Sequence, residues 1–185
     1  SQKAHLWQKD RNLRELCGET VAIVGCGSVG TECAKRFSAF GTRVIAVDIA
    51  KPKSEIYSEF YDITDIEKAL NIADTVVLTI PLTDETRGMF NGEMFTHFKD
   101  SSVLVNVSRG AVVNENDLIN ALENGKLSGA VLDVFENEPL DENSALWNMK
   151  NVIITPHNSF VSKKNNARLF SLAYDNLKSS MKGLV

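Results

Sequence analysis

Three glycines, Gly25, Gly27 and Gly30, are spaced as G-x-G-x-x-G, and Asp48 follows eighteen residues after the last of them. The spacing is informative only where a strand runs into the glycines and a helix leaves them. In that context Gly25 makes the tight turn, Gly27 lets the backbone approach a pyrophosphate, and Gly30 lets the helix lie close to the sheet. The N–H groups of the first helical turn, around Ser28 and Val29, then face the phosphates with the partial positive charge of the helix. Asp48 can accept both ribose hydroxyls of an adenosine and would repel a 2′-phosphate, so the expected cofactor is NAD. The plainer alternative is a corner turned by glycines and a strand capped by an aspartate. Cys26 and Cys33 sit in and just after the loop. Thiols at a helix N-terminus can be redox-active, but small residues packed beside a cofactor explain them more simply. With Cys17 they form no metal-ligand spacing, so no metal site is expected.

The elements needed to position this loop are legible. TVAIVG (20–25) is an unbroken apolar strand, and a helical stretch of roughly 29–40 follows the glycines, ended by Gly41. RVIAVD (43–48) is the next strand, placing Asp48 at its end; a polar, lysine-bearing connection leads to a short helix at 66–73. Further strands are expected at 74–80, 101–107, 127–134 and 151–156, with a helix between the middle two opened by Asn114 and closed by Gly125. Strands without polar alternation, separated by helices, imply a parallel sheet covered on both faces. Right-handed crossovers make that an α/β, doubly wound (Rossmann) fold. Leu169, Phe170, Ala173 and Leu177 repeat at helical spacing in the tail.

Composition narrows the function classes. The chain has 185 residues, and 43% apolar content supports a real core. A formal charge of −4 gives no nucleic-acid footprint. No apolar run reaches the roughly 20 residues of a membrane span, and SQKAHLWQKD lacks the apolar centre of a signal peptide. A cytoplasmic, reducing setting is therefore expected.

Five blocks carry a resemblance. ELCGETVAIVGCGSVG, TIPLTDETRG, VLVNVSRGAVVNENDLINAL, GAVLDVFENEPL and VIITPHNS occur in this order between residues 15 and 159, within a likeness that runs from about Leu13 to the end. In this the chain resembles the D-isomer-specific 2-hydroxyacid dehydrogenase family, which includes phosphoglycerate, D-lactate and formate dehydrogenases and glyoxylate/hydroxypyruvate reductases. The resemblance implies three catalytic residues: Arg109 in the S-R-G block, Glu138 before Pro139, and His157 in the P-H block. Their chemistry is suitable. A guanidinium fork can grip a carboxylate and the adjacent carbonyl. An imidazole can pass a proton to and from the carbonyl oxygen as hydride arrives or leaves, and a glutamate can hold that imidazole in place. Glu136 competes with Glu138 within ENEP, but only Glu138 precedes the proline.

The resemblance further implies cofactor contacts at Thr79, Ile80, Pro81 and Thr86, at Val107 and Ser108 beside the nicotinamide ribose, and at Asp133 for the carboxamide. Arg109 and His157 would border the nicotinamide as well. Ser28 departs from the family's usual long residue. A strand-end carboxylate capping a turn is the alternative for Asp133.

Family members carry a second domain that closes the cleft. The expected organisation is thus a crossover helix and linker at 1–16, an NAD-binding domain at 17–160, and a helix at 161–185 returning toward a substrate domain. Leu6, Trp7, Phe170 and Leu177 would lie near surfaces meant for that domain or a partner. The reading is an NAD-dependent oxidoreductase of small D-2-hydroxy and 2-oxo acids, paired as a homodimer through its cofactor domains. Its rivals are an NAD-sensing corepressor-type relative and a Rossmann domain of other chemistry.

Overall fold

A computed structural model describes His5, Trp7 and residues 13–182. Its centre is a seven-stranded sheet in which every pairing is parallel, ordered β3-β2-β1-β4-β5-β6-β7. The strands are β1 (Thr20–Val24), β2 (Arg43–Asp48), β3 (Glu59–Asp62), β4 (Thr75–Leu78), β5 (Ser102–Asn106), β6 (Leu127–Leu132) and β7 (Val152–Ile154). The helices are α1 (Ser28–Ser38), α2 (Ile66–Leu70), α3 (Gly92–Thr96), α4 (Glu115–Glu123) and α5 (Asn165–Lys182). The order reverses between β1 and β4, and a crevice opens beyond the carboxyl ends of strands at such a switch point.

The expected doubly wound sheet is therefore present, with one strand more than the sequence suggests. β3 lies inside the polar connection after β2. Its EFYD sequence is short and half-polar because it closes an edge, where only one side needs a partner. β2 keeps its expected bounds, Arg43–Asp48, and the other expected strands are trimmed relative to their apolar runs. β6 stops at Leu132, and Asp133 and Val134 leave the ladder while staying buried.

Alternate residues of each central strand serve two cores, as the pleat requires. Ala22, Val24, Ile45, Val47, Val76 and Leu78 join the larger one with residues of α2, α3 and α4. Val21, Ile23, Val44 and Val77 join a smaller one under Ala34 of α1. That second face is covered unevenly: Val103, Val105 and Val131 are only half-buried and Ile153 is exposed.

Arg14 anchors the chain at the amino ends of the strands. It donates to Glu19, to the carbonyls of Ser101 and Asp74, and to Ser128 Oγ. The helix expected before residue 17 falls mostly outside the described residues, as does Leu6; residues 13–15 have no regular structure, and Trp7 is fully exposed. The tail helix forms as α5, and its apolar residues Leu169, Phe170, Leu172, Leu177 and Met181 are exposed. Among the described residues no helix is long and apolar enough to cross a membrane.

Candidate active site

The glycine loop leaves β1 and enters α1 at the switch point. Gly25 has φ +92, and a Cβ there would meet Ile80 at 2.8 Å. A Cβ on Gly30 would lie 2.0 Å from the Gly25 carbonyl oxygen, so only glycine lets α1 start this close to the strand. A Cβ on Gly27 would meet no protein atom within 4 Å. The protein itself does not require glycine at that position, which suits an approach by something outside it. Gly27 caps α1 without a side-chain hydrogen bond. The first-turn N–H groups, those of Ser28, Val29 and Gly30, have no carbonyl one turn earlier in the helix to bond.

Asp48 ends β2 beside this loop. It accepts from Cys26 N–H at 2.6 Å and from Ile49 N–H at 2.7 Å. Each oxygen keeps a lone pair, so the carboxylate is fixed in place and still able to accept hydroxyls. Burial, reinforced by the Asp48 charge, pushes the Cys26 thiol up to about 11, and burial also raises Cys33. Neither is a thiolate near neutrality, so both behave as packed side chains. These features fit a dinucleotide: a bare helix start for the pyrophosphate and an anchored carboxylate for the adenosine ribose.

A cleft of about 380 Å³ brings Val29, Thr79, Ile80, Pro81, Val107, Ser108 and Arg109 together, with Leu82. Thr79 Oγ1 donates to the carbonyls of Gly25 and Val24, at 2.5 and 3.1 Å, closing this wall against the glycine loop. Thr86 does not line the cleft. Its hydroxyl donates to the Pro81 carbonyl at 2.8 Å and accepts from Thr83 N–H, so it shapes the loop after β4.

The strand-end residue Asn106 organises the Arg109 loop, a role the sequence reading misses. Asn106 Oδ1 accepts from Ser108 N–H and Oγ, at 3.0 and 2.8 Å, and its Nδ2 donates to the Arg109 carbonyl at 3.2 Å. A polar residue closing the apolar run SSVLVN is the available signal. Arg109 is exposed, and Nη1 donates to the Ser108 carbonyl at 2.7 Å. Gly110 then presses against the next loop: a Cβ there would fall 1.8 Å from the Phe135 carbonyl carbon.

Past Phe135 the two glutamates separate. Glu136 Oε1 accepts from Glu115 N–H at the start of α4, a structural contact. Glu138 Oε2 lies 2.7 Å from His157 Nδ1, while its Oε1 accepts from Phe135 N–H at 3.1 Å. Burial pushes the Glu138 carboxyl up, but the His157 and Phe135 hydrogen bonds outweigh it and hold it below its ordinary range. With Nδ1 engaged, Nε2 is the ring nitrogen left for other chemistry.

Asp133 holds the backbone around that histidine. It is 3% exposed, and its carboxylate accepts from Thr155 Oγ1 at 2.5 Å and from the N–H groups of Asn158 and Ser159 at 3.0 and 3.1 Å. Burial pushes this carboxyl up as well; the donors outweigh it and keep it low. His157 N–H donates to the Asp133 carbonyl at 2.8 Å, and His157 has φ +49, a left-handed backbone. The structure thus brings Asp133 to the histidine loop and occupies it there.

The sequence profile of the D-isomer specific 2-hydroxyacid dehydrogenase NAD-binding domain matches residues 1–159. The chain belongs to this family. A hydroxypyruvate reductase of Blautia hydrogenotrophica is 36% identical over 174 residues, 94% of this chain and 54% of the relative. A glyoxylate reductase of Thermofilum pendens is 36% identical over 170 residues, 91% of this chain and 50% of the relative. Among solved structures, a probable 2-hydroxyacid dehydrogenase from Rhizobium etli, in complex with NADP, HEPES and L(+)-tartaric acid, superposes with a TM-score of 0.89. It is 33% identical, with 98% of this chain and 58% of that one covered. The chain spans about half the length of the curated relatives it matches. Within the 2-hydroxyacid dehydrogenases it is a nicotinamide-dinucleotide-binding domain.

Proposed function

We propose that this chain is the cofactor domain of an NAD-dependent oxidoreductase that interconverts a D-2-hydroxy acid and its 2-oxo acid. One observation carries the reading: the His157–Glu138 pair, 2.7 Å apart, stands on the same carboxyl rim as Arg109. NAD, when bound, supplies and accepts the hydride. Gly25, Gly27, Ser28, Val29 and Gly30 would hold its pyrophosphate. Thr79, Ile80, Pro81, Val107 and Ser108 form the cleft wall, with Thr86 supporting its loop. Asp133 acts on the nicotinamide end through the backbone it fixes.

In this reading Arg109 grips the carboxylate and polarises the carbonyl. His157 Nε2 gives the carbonyl oxygen its proton during reduction and takes it back during oxidation. Glu138 keeps Nδ1 occupied, fixing the ring's orientation and tautomer. Asp48 favours NAD over NADP: an anchored carboxylate that can accept ribose hydroxyls opposes a 2′-phosphate, although the Rhizobium etli relative holds NADP. The domain comprises residues 17–160, and α5 leads toward the substrate domain that completes the cleft. The enzyme is a cytoplasmic homodimer. No structural observation favours the corepressor-type alternative.

The test is reduction of hydroxypyruvate and glyoxylate by NADH. The isolated chain should bind NADH with turnover near background, because the cleft lacks its second wall and the substrate is not oriented. The intact enzyme should turn over and lose about 10²- to 10⁴-fold in kcat on His157→Ala. Undiminished turnover by that variant would remove the assignment.

A further inference from the structure

Beside the catalytic pair lies a second cavity, of about 450 Å³, which the roles assigned above do not use. Glu138 and His157 form its polar end, and the rest is apolar: Phe135, Pro139, Leu140, Trp147, Ile154 and Pro156. Its walls are held in place. Trp147 Nε1 donates to the Asp141 carbonyl at 2.9 Å, and Leu140 and Ile154 pack against the larger core.

We infer that this cavity receives the carbon chain of the substrate, and that the enzyme prefers 2-oxo acids with an unbranched or branched apolar chain to glyoxylate. The inference rests on the proposed oxidoreductase reading and adds the substrate class. A 2-oxo acid has one polar end and one variable end. Arg109 and His157 take the polar end, so the variable end must leave the reacting carbon in some direction. A cavity that shares the histidine as a wall and continues into six apolar side chains is chemically matched to it. Glyoxylate has only hydrogen at that place and would leave the space to water, which finds few partners against such walls. A volume of this size lies within the usual range for small-molecule sites. Each methylene moved from water into it should tighten binding about fourfold, or about 0.8 kcal/mol.

The experiment is an equilibrium titration of the NADH-loaded intact enzyme, whose cleft has both walls, with glycolate, D-lactate, D-2-hydroxybutyrate and D-2-hydroxypentanoate. Cofactor and acid are both in the reduced state, so nothing reacts. The indole N–H resonance of Trp147, assigned by its loss in Trp147→Phe, reports occupancy directly. Affinity should rise about fourfold per methylene, and the Trp147 resonance should move with the longer acids and stay still with glycolate. Trp147→Ala should flatten the chain-length dependence. NADH affinity reports whether that variant is folded, and where it is not, Leu140→Phe decides by moving the optimum to a shorter chain. Equal affinity along the series with a silent indole overturns the inference while leaving the dehydrogenase reading intact. Failure of every acid to bind overturns the inference, and if the intact enzyme also reduces no 2-oxo acid, the dehydrogenase reading falls with it.

Discussion

Gly110→Ala is the most informative single change. The added Cβ would sit 1.8 Å from the Phe135 carbonyl carbon, 1.9 Å from its oxygen and 2.5 Å from Glu136 N. Ordinary contact begins at 3.4 Å, so the Arg109 loop and the Phe135–Glu136 segment must part by about 1.6 Å. All three obstructing atoms are backbone and cannot rotate aside. Overpacking of this kind costs about 1–3 kcal/mol, and the backbone setting places this case near 3. The displacement does not stay local, because Phe135 N–H holds Glu138 and Glu138 holds His157. Misplacing catalytic groups by about 1 Å lowers turnover about 10²-fold. Urea denaturation and turnover of the intact enzyme measure the two effects. Gly125→Ala is the control: its φ is +73 but a Cβ there meets nothing within 4 Å, so only the left-handed cost of about 1–2 kcal/mol applies. A Gly110→Ala enzyme with stability within about 0.5 kcal/mol of the parent and full turnover would refute the claim that this contact couples the two loops.

Asp48→Ala should narrow the NADH-over-NADPH preference by at least about tenfold, or about 1.4 kcal/mol, and calorimetry with both cofactors reads it; an unchanged ratio removes Asp48 from cofactor choice. Asp133→Asn replaces a carboxylate that accepts three hydrogen bonds, and should cost about 1–3 kcal/mol of stability at neutral pH. Because the folded carboxyl lies below its ordinary 3.8, its contribution is complete above that value and disappears as pH falls through the folded one. Acid titration of stability should therefore be shallower in the variant below about pH 4, and identical acid profiles would contradict this.

Elements whose sequence signal comes from burial on both sides were legible. β1 is buried at all five positions and reads as an unbroken apolar run. The edge strand β3 has no such run, and α3 is too short at five residues for its period to register; only Asn91, which accepts from Met94 N–H, marks its start. In the site, Gly25 and Gly30 are explained by contacts the fold demands, so their spacing between a legible strand and a legible helix locates them. Gly110 escapes the reading because the segment it presses on, at Phe135, is distant in the chain; Asn106 acts on the loop directly after it, and its local signal, a polar residue closing an apolar run, does not by itself tell which backbone it holds. Thr86 illustrates the opposite limit: a motif position was visible, but not that its hydroxyl is spent within its own turn. Arg14 shows the same blindness, since three of its four partners lie 60 or more residues away.

Asn106 ends β5 and Asp133 directly follows the end of the neighbouring β6, and each fastens the backbone that carries a functional side chain. The loops bearing Arg109 and His157 therefore take their shape from the strand ends beneath them more than from their own turn sequences. Such a division separates what can vary from what cannot. Exposed positions such as Phe160 and Val161 can accept new side chains by single substitutions while the histidine's backbone stays where Asp133 puts it. Evolution or directed selection can then retune what the rim recognises one residue at a time, on a foundation that tolerates the trial.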